Sequence, residues 1–512
     1  MVANFAGRAW AAALGLVFPP IYARLLGIES YGLVGVWASL NGILSVLDLG
    51  LSTTLNREMA RHSTDHDAVS QRAMRDITRT IEAIFWGAGL VAGSLIFLLA
   101  PFVARHWVNA QHLSADLVTS SVRLMGIVFA LQWPVGVYNG ALLGLQKQGT
   151  ANAIQALFLF IRLVGGAVLL WKVSASIHVF FLWQAAAMAA QTGVTGIALS
   201  RCLPGRRGEG SFRLSVLATN WRFSTGMFLI SILAIILLQA DKLIVSKLLS
   251  LEQFGYYTLA WIVGSALANL INPIFVAVFP RLTQLVKQKD LAELTRVYHM
   301  SCQLLSVLVL PAAAVLAIFS REALVAWSGD PRLVTEASRA VTIVAIGSAL
   351  NGLMNMPYAL QLAFGWTRLT VVTNTISIVV VVPLEYWLAK RYGMAGAAAG
   401  WVVLNGGYVV FQLQAVHMRL LRGEQWRWYF VDVGLPLLAV ATVLVPARVL
   451  LSAPHSRIAI AGQLFAVGGA AVLAAAMSAP ELRRRGLTFL PARWRGRSQG
   501  NAETTLKAPP AG

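Results

Sequence analysis

The sequence predicts an all-α integral membrane protein with about fourteen transmembrane helices, arranged as two six-helix lobes and two extra carboxy-terminal helices. Three observations predict this fold class. Hydrophobic residues make up 57% of the 512 residues and charged residues only 12%, and the mean hydropathy is +0.67. Apolar runs of about twenty residues, long enough for a helix to cross a bilayer, recur along nearly the whole chain. One stretch of the chain also occurs twice.

The repeated stretch is ARLLGIESYGLVG at residues 23–35, which returns within ADKLIVSKLLSLEQFGYY at residues 240–257. The matching residues share an offset of 223 and are Arg24 with Lys247, Glu29 with Glu252, Tyr31 with Phe254, Gly32 with Gly255, Gln132 with Asn355 and Pro134 with Pro357. Because the same offset holds in two distant segments, we predict a tandem duplication of one unit of about 200 residues.

The duplication and the apolar runs together predict the domain boundaries. The first lobe is predicted over residues 1–200, with spans near 6–26, 31–55, 81–104, 118–145, 151–171 and 177–200. A cytoplasmic linker rich in Gly, Pro, Ser and Arg follows at residues 201–220. The second lobe is predicted over residues 221–420, with spans near 223–249, 254–282, 297–319, 337–364, 369–389 and 394–418. Two extra spans fall within residues 428–478, and residues 479–512 are expected to form a basic, partly disordered cytoplasmic tail.

The formal net charge of +20 is distributed unevenly between the two sides of the predicted bundle. Twenty-seven Lys and Arg residues fall on the side of the amino terminus and thirteen on the other, with Arg162 inside a span. This is the positive-inside pattern, which predicts that both termini are cytoplasmic. Nucleic-acid binding is not expected, because no basic block lies beside aromatic residues in a polar module.

No motif indicates an enzyme. GAGLVAG at residues 87–93 resembles a dinucleotide-binding loop only superficially, because it lies within an apolar span without a preceding strand. The eight His residues show no HExxH or other paired spacing typical of a zinc site. We therefore expect no catalytic residue, no cofactor and no metal ion.

Polar residues at helical spacing mark one face of several predicted spans. The cavity candidates on these faces are Asn41, Asp48, Gln132, Asn139, Asn351, Asn355 and Asn405. A row of polar residues on one helix face, which we call a polar stripe, can also arise from hydrogen bonds between helices in a bundle without water, and this would explain any single stripe. Stripes in both halves favour a shared aqueous cavity, because a polar side chain that faces lipid costs free energy.

Ionisable residues in or near the spans supply further candidates, namely the cations Arg8, Arg123, Arg162 and Lys242 and the acids Asp48 and Asp241. Arg162 lies about halfway along the fifth predicted span, on one helix face with Gln155 and Gly166, and must face protein or water. It is expected either to face the central cavity or to bond carbonyls of a neighbouring helix. Asp241 and Lys242 are adjacent and point about 100° apart on a helix, which predicts that they do not pair. Asp48 and Asp241 are the candidates for coupling to an ion.

Three segments carry a family resemblance: IYARLLGIESYGLVGVWASL at residues 21–40, DLGLSTTLNREMAR at 48–61 and ADKLIVSKLLSLEQFGYYTLA at 240–260. They resemble the polysaccharide-export and O-antigen flippase family of the MATE-like multidrug/oligosaccharidyl-lipid/polysaccharide superfamily. The resemblance covers at least the first eight predicted spans. It implies a transporter that moves undecaprenyl-pyrophosphate-linked oligosaccharide to the outer leaflet of a bacterial inner membrane, in cell-surface polysaccharide biosynthesis.

The resemblance also implies membrane lipids, a glycan polymerase and a chain-length regulator as partners. On this interpretation the four cations meet the pyrophosphate and the polar stripes hydrate the glycan. Two alternatives stay open, an ion-coupled drug exporter of the same fold and a membrane glycan polymerase or ligase. The number of cations disfavours a cationic drug. No predicted outer connection exceeds about fifteen residues, which leaves little room for an outer catalytic site.

Overall fold

The computed structural model describes residues 2–45, 51–63, 67–204, 210–212, 221–452, 454 and 456–489. The first half of the chain forms α1 (Val2–Leu26), α2 (Ile28–Leu44), α3 (Leu51–His62), α4 (Ala68–Phe102), α5 (Ala115–Gly144), α6 (Gln148–Phe160), α7 (Gly166–Lys172) and α8 (Ile177–Cys202). A π-helical turn at Ile161–Gly165 joins α6 to α7 as one span. Asp67 caps α4, and hydrogen bonds from Ser70 hold the pKa of the Asp67 carboxyl below its ordinary value.

The second half forms α9 (Trp221–Leu248), α10 (Leu251–Gly264), α11 (Ala268–Gln288), α12 (Leu291–Ile318), α13 (Ser320–Ser328), α14 (Pro331–Ala363), α15 (Thr367–Gly407) and α16 (Leu413–Leu420). The described part of the chain ends in α17 (Gln425–Arg427), α18 (Leu435–Leu450), α19 (Arg457–Ser478) and α20 (Pro480–Phe489). Gly393 divides α15, because its φ of 61° lies in the left-handed region that glycine adopts without strain.

The helices follow the predicted spans, with differences at a few boundaries. Helix α4 begins at Ala68, before the predicted start of the third span at residue 81. The eighth predicted span is split into α10 and α11, which meet at a bend of 44°. The second predicted span includes α2 and the start of α3, and residues 46–50 between these helices lie outside the described residues. Among the described residues, eight helices are long and apolar enough to cross a membrane, or nine if α10 and α11 count as one. That count treats residues 367–420 as one helix although Gly393 divides it, so the total of about fourteen spans stays a prediction.

Helices α2 and α10 bring the two halves into direct contact through a pair of glycines. A Cβ atom on Gly32 would lie 2.3 Å from the carbonyl oxygen of Leu251, and one on Gly255 would lie 2.3 Å from that of Ile28. The two contacts are related by the 223-residue offset of the sequence repeat. Any larger residue would clash with the backbone of the other half. The glycine of each helix therefore allows the start of the other helix to approach closely.

Other contacts between the halves lie at this same end of the bundle, which we call the sealed end. The hydrogen bonds there run from Arg24 to the Ser328 carbonyl (2.6 Å), from Trp327 to the Leu16 carbonyl (2.7 Å), from the Leu251 N–H to the Asn109 carbonyl (2.8 Å), from Trp107 to the Ser246 hydroxyl (3.1 Å) and from Lys247 to the His106 carbonyl. One apolar cluster at this end includes Leu33 from the first half and Phe254 from the second.

The opposite end, which we call the linker end, is built differently. There each half has an apolar cluster of its own, around Leu55 and Met59 in the first half and around Leu285 and Leu294 in the second. Helix α3 packs on α4 and α5, and α11 packs on α12 and α14, so both continue within their own half. Among the described residues, the halves therefore share a core at the sealed end, whereas each half has its own core at the linker end.

Candidate functional site

A cavity of about 270 Å³ lies between the two halves, next to the contact of α2 with α10. We call it the central cavity. Its lining includes Arg162 from the first half and Lys242 from the second, together with Trp37, Gln184, Tyr257 and Trp261. The two halves therefore place one cation each on the same cavity.

Arg162 lies in the π-helical turn between α6 and α7. Its Nε donates a hydrogen bond to Gln184 Oε1 (2.8 Å), and its guanidinium carbon lies 5.7 Å from the centre of the Trp37 ring. A π-helical turn leaves backbone groups without their usual helical partners, and here the Arg162 carbonyl accepts from the Trp183 indole (3.2 Å). No other described residue accepts from the two terminal guanidinium nitrogens, so they are available to a ligand.

The surroundings of Arg162 agree with part of the predicted helix face. Gln155 lines a second cavity, within the first half, on which Arg162 also lies. Gly166, however, packs against the hydroxyl of Tyr22, which would lie 2.8 Å from a Cβ at that position. The extra residue of the π-helical turn rotates Gly166 away from the face that periodicity predicts.

Lys242 forms an ion pair with Asp241, contrary to the prediction that these neighbours do not pair. The Lys242 Nζ lies 2.9 Å from Asp241 Oδ1 and also donates to the Leu238 carbonyl at 2.8 Å. The long lysine side chain bends back by one turn, so its reach decides the contact rather than the direction of its Cβ. The Tyr257 hydroxyl donates to Asp241 Oδ2 (2.7 Å), and Lys242 Nζ lies 3.6 Å from the centre of the Trp261 ring. Asp241, the proposed ion-coupling residue, is buried and held by these two partners.

A larger cavity of about 760 Å³, the first-half cavity, extends from Arg162 toward the linker end. Amide side chains dominate its lining, which includes Gln132, Asn139, Gln148, Gln155 and Gln191. Gln132 and Asn139 also line an adjoining cavity of about 500 Å³ together with Asn41. Among the described residues, Asn41 Oδ1 and Asn139 Oδ1 are buried without a hydrogen-bond partner. Unpaired buried acceptors are costly in a dry core and are typical of sites that receive water or ligand.

A fourth cavity of about 250 Å³, the second-half cavity, lies within the second half. Asn351 and Asn355 line it, as the polar stripe predicts. Asn405 lies behind them and is fully buried. It accepts from Asn351 Nδ2 (2.9 Å) and donates to the Trp401 carbonyl (2.8 Å), so it positions Asn351.

Three of the predicted charged site residues remain. One of them lies away from the cavities, and the side chains of the other two are outside the described part of the structure. Arg123 is exposed on α5 and lies over the Phe97 ring at 5.1 Å, so the prediction that it faces the cavity is corrected. It precedes Gln132 by nine residues, about two and a half helical turns, and therefore points to the opposite side of α5. Asp48 lies outside the described residues, and so does the side chain of Arg8.

Sequence reasoning did not select several lining residues, although some of them carried a signal. Trp37 precedes Asn41 by one helical turn and belongs to the same stripe. Gln184 and Gln191 are seven residues apart on α8, which is the spacing of one helix face. Trp261 and Tyr257 carried no comparable signal, because aromatic residues in an apolar span are normally core residues.

Comparison with known proteins identifies the family. Residues 3–286, more than half of the chain, match the family described as "Polysaccharide biosynthesis protein". The chain belongs to this family. It is 22% identical over 392 residues to a "Putative O-antigen transporter" of Shigella flexneri, an alignment that covers 74% of this chain and 88% of that protein.

Solved structures show the same fold. The "Lipid II flippase MurJ, inward closed conformation" superposes with a TM-score of 0.64 at 10% identity, covering 95% of this chain and 99% of that one. An inward-facing multidrug resistance MATE family transporter of the MOP superfamily superposes with a TM-score of 0.58 at 15% identity, covering 80% and 99%. The protein is therefore a multi-pass membrane transporter of polysaccharide biosynthesis rather than an enzyme, which confirms the family and class predicted from the sequence.

Proposed function

We propose that the protein is a flippase for undecaprenyl-pyrophosphate-linked oligosaccharide, and that it works by alternating access. The observation that carries the proposal is the convergence of Arg162 and Lys242 on the central cavity, one from each half. Pyrophosphate oxygens accept strong charge-assisted hydrogen bonds from guanidinium and ammonium groups. The affinity for an anion held by both cations would change when the halves move relative to each other. A ligand shifts a conformational equilibrium only if its affinity differs between the two states.

The position of the first-half cavity is consistent with entry of the substrate from the cytoplasmic leaflet. The described residues join the halves at the sealed end, and the first-half cavity begins toward the linker end, near Gly7 and Asn56. The charge asymmetry of the sequence predicts that the linker end is cytoplasmic. We propose that residues 1–200 and 221–420 are two six-helix lobes that rock about the linker at 201–220, within a chain of about fourteen spans in a bacterial inner membrane.

The relatives support this substrate over a drug. One relative, 22% identical, is described as a "Putative O-antigen transporter". The multidrug transporter and the lipid II flippase share the fold at 15% and 10% identity, and a shared fold alone does not identify the substrate of this chain. Lys242 is paired with Asp241, so Arg162, whose only described side-chain hydrogen bond is to the neutral Gln184, gives the central cavity its net positive charge, which repels a cationic drug and attracts a pyrophosphate.

The proposal predicts where the lipid-linked glycan accumulates when the protein is lost. In a deletion strain, the intermediate should be protected from a membrane-impermeant glycosidase in spheroplasts and should become accessible in inverted vesicles. The wild-type gene should restore accessibility in spheroplasts. An intermediate that already lies on the outer leaflet of the deletion strain, unpolymerised, would favour a polymerase and contradict the proposal.

A further inference from the structure

The second-half cavity has a lining that differs chemically from those of the central and first-half cavities. Its described lining residues carry no charge, and they combine amides with aromatic rings: Asn351, Asn355, Asn374, Gln412, Tyr358, Trp401 and Tyr408. The first-half cavity contains Arg162 and its described lining has no aromatic residue. The adjoining cavity of the first half shares the uncharged mixture of amides and aromatic rings. A neutral ligand with both polar and apolar surfaces therefore fits the second-half cavity better than the central or the first-half cavity.

The amides of this cavity are each fixed at one end by the protein. Asn351 Nδ2 donates to Asn405, Asn355 Nδ2 donates to the Asn351 carbonyl (2.9 Å), Asn374 Oδ1 accepts from the Tyr408 hydroxyl (2.9 Å), and Gln412 Nε2 donates to Gln361 (2.9 Å). Their other ends make no hydrogen bond to any described residue, and neither does the Tyr358 hydroxyl. The cavity thus presents three oriented acceptors, one amide donor and one hydroxyl.

Oriented donors and acceptors beside an aromatic ring suit a sugar. Each ring hydroxyl both donates and accepts, and the C–H face of the ring is attracted to the electron-rich face of an aromatic side chain. The volume of about 250 Å³ corresponds to about eight waters at roughly 30 Å³ each, which is room for one sugar ring. An acyl chain in the same place would leave the free amide ends buried and unpaired.

The position of the cavity relative to the cations fits a single elongated substrate. Trp261 lines the central cavity and Trp401 lines the second-half cavity, and their ring centres are 5.5 Å apart. Helix α9 supplies Leu238 to the second-half cavity and Lys242, one turn later, to the central cavity. The two cavities are therefore neighbours, separated by one pair of tryptophans.

We propose that the second-half cavity is a saccharide subsite, which holds one neutral sugar ring of the glycan while Arg162 and Lys242 hold the anionic head group. This inference rests on the proposed function, because it takes the substrate to be a glycan joined to a pyrophosphate. It assigns recognition of the sugar to the second half and makes Asn374 and Tyr358 residues that determine specificity.

Two probes separate the sugar from the head group, namely undecaprenyl pyrophosphate and the same lipid carrying N-acetylglucosamine. Their affinities for the purified full-length protein in detergent are measured by native mass spectrometry. Wild-type protein should bind the sugar-bearing probe roughly tenfold more tightly, the effect of one or two good hydrogen bonds. Asn374→Leu and Tyr358→Phe should remove this advantage and leave the affinity for the sugar-free probe unchanged.

Matched variants show whether a loss of sugar binding comes from the subsite itself, from a disturbed fold or from a damaged head-group site. Tyr358→Phe removes only a hydroxyl and keeps the ring stacked on Phe275, so it preserves the fold. Asn269→Leu changes an exposed amide of α11 and should change neither affinity. Arg162→Gln should weaken both probes alike.

Three outcomes would overturn the subsite. The first is that Gln155→Leu, in the first-half cavity, loses the preference for the sugar-bearing probe while Asn374→Leu and Tyr358→Phe keep it. The second is a preference that survives all of these changes. The third is tighter binding of the sugar-free probe to Asn374→Leu, which would identify an acyl chain as the occupant. If neither probe binds wild-type protein, the proposed function fails and the subsite fails with it.

Discussion

At the scale of single residues, the position of a charged residue along its predicted span indicated the cavity residues better than its charge alone. Arg162 was singled out because a cation at mid-span must face protein or water, and it lies on two cavities. Arg123 has the same charge but lies on the outer side of α5. The Asp241–Lys242 pair was missed because its geometry depends on how a flexible side chain folds back, which helical periodicity does not contain.

Substitutions of Arg162 test its role in binding the head group. Arg162→Lys keeps the charge but loses the hydrogen bond to Gln184, and Arg162→Gln loses the charge. A charge-assisted hydrogen bond contributes about 1.5–3 kcal/mol, so Arg162→Gln should lower head-group affinity roughly 10- to 100-fold. Transport, measured as surface polysaccharide at equal membrane abundance, should be retained more by Lys than by Gln.

Arg123→Gln is the matched control for this pair, because it removes an exposed arginine from a neighbouring helix. It should leave transport within about twofold of wild type. Equal transport by the Lys and Gln variants of Arg162, or loss of the protein from the membrane in both, would mean that Arg162 serves the fold and not the substrate.

At the scale of elements, the sequence predicted which segments are helical but not where helices break. Apolar runs and their polar flanks located the starts and ends of spans such as α5, α8 and α12 within a few residues. The break between α10 and α11 depends on local backbone geometry and packing, to which a hydropathy window does not respond. The repeated glycine motif was visible in the sequence, yet its purpose, a mutual close approach of α2 and α10, required the structure.

A reversible cross-link tests whether the sealed end must open during transport. Asn109 and Ser250 pair across the halves, and paired backbone segments lie about 4.7–4.9 Å apart, within the range that a disulfide spans. In a background without Cys202 and Cys302, oxidation of Asn109→Cys/Ser250→Cys should reduce transport at least tenfold, and a reductant should restore it. Protease cleavage between residues 201 and 220 followed by gel electrophoresis reports whether the halves are joined.

Each single cysteine variant controls for the substitutions and should transport normally under oxidant. If the cross-linked protein continues to transport, the sealed end stays closed throughout the cycle, and rocking of the two halves about this end is not the mechanism.

At the scale of the whole molecule, the described residues form two halves that share an apolar cluster at the sealed end and have separate apolar clusters at the linker end. The sequence predicted two equivalent halves and polar faces within each. It also predicted a shared aqueous cavity, but not its position, because the central cavity lies where α2 of one half crosses α10 of the other. The reciprocal contacts of Gly32 and Gly255 support the proposed duplication, since an offset of 223 residues relates both the sequences and the positions that they occupy.

The orientation of the bundle in the membrane decides which leaflet the linker end faces. With both termini cytoplasmic, a green fluorescent protein fused after residue 512 should fluoresce, and alkaline phosphatase fused there should be inactive. Phosphatase fused after Asp330, at the sealed end, should be active because that end would lie outside. Phosphatase activity at residue 512 would show an odd number of spans, whereas reversal of both results would turn the linker end outward. In that case the structure would be a state that releases substrate, and Arg162 and Lys242 would face a head group on its way out.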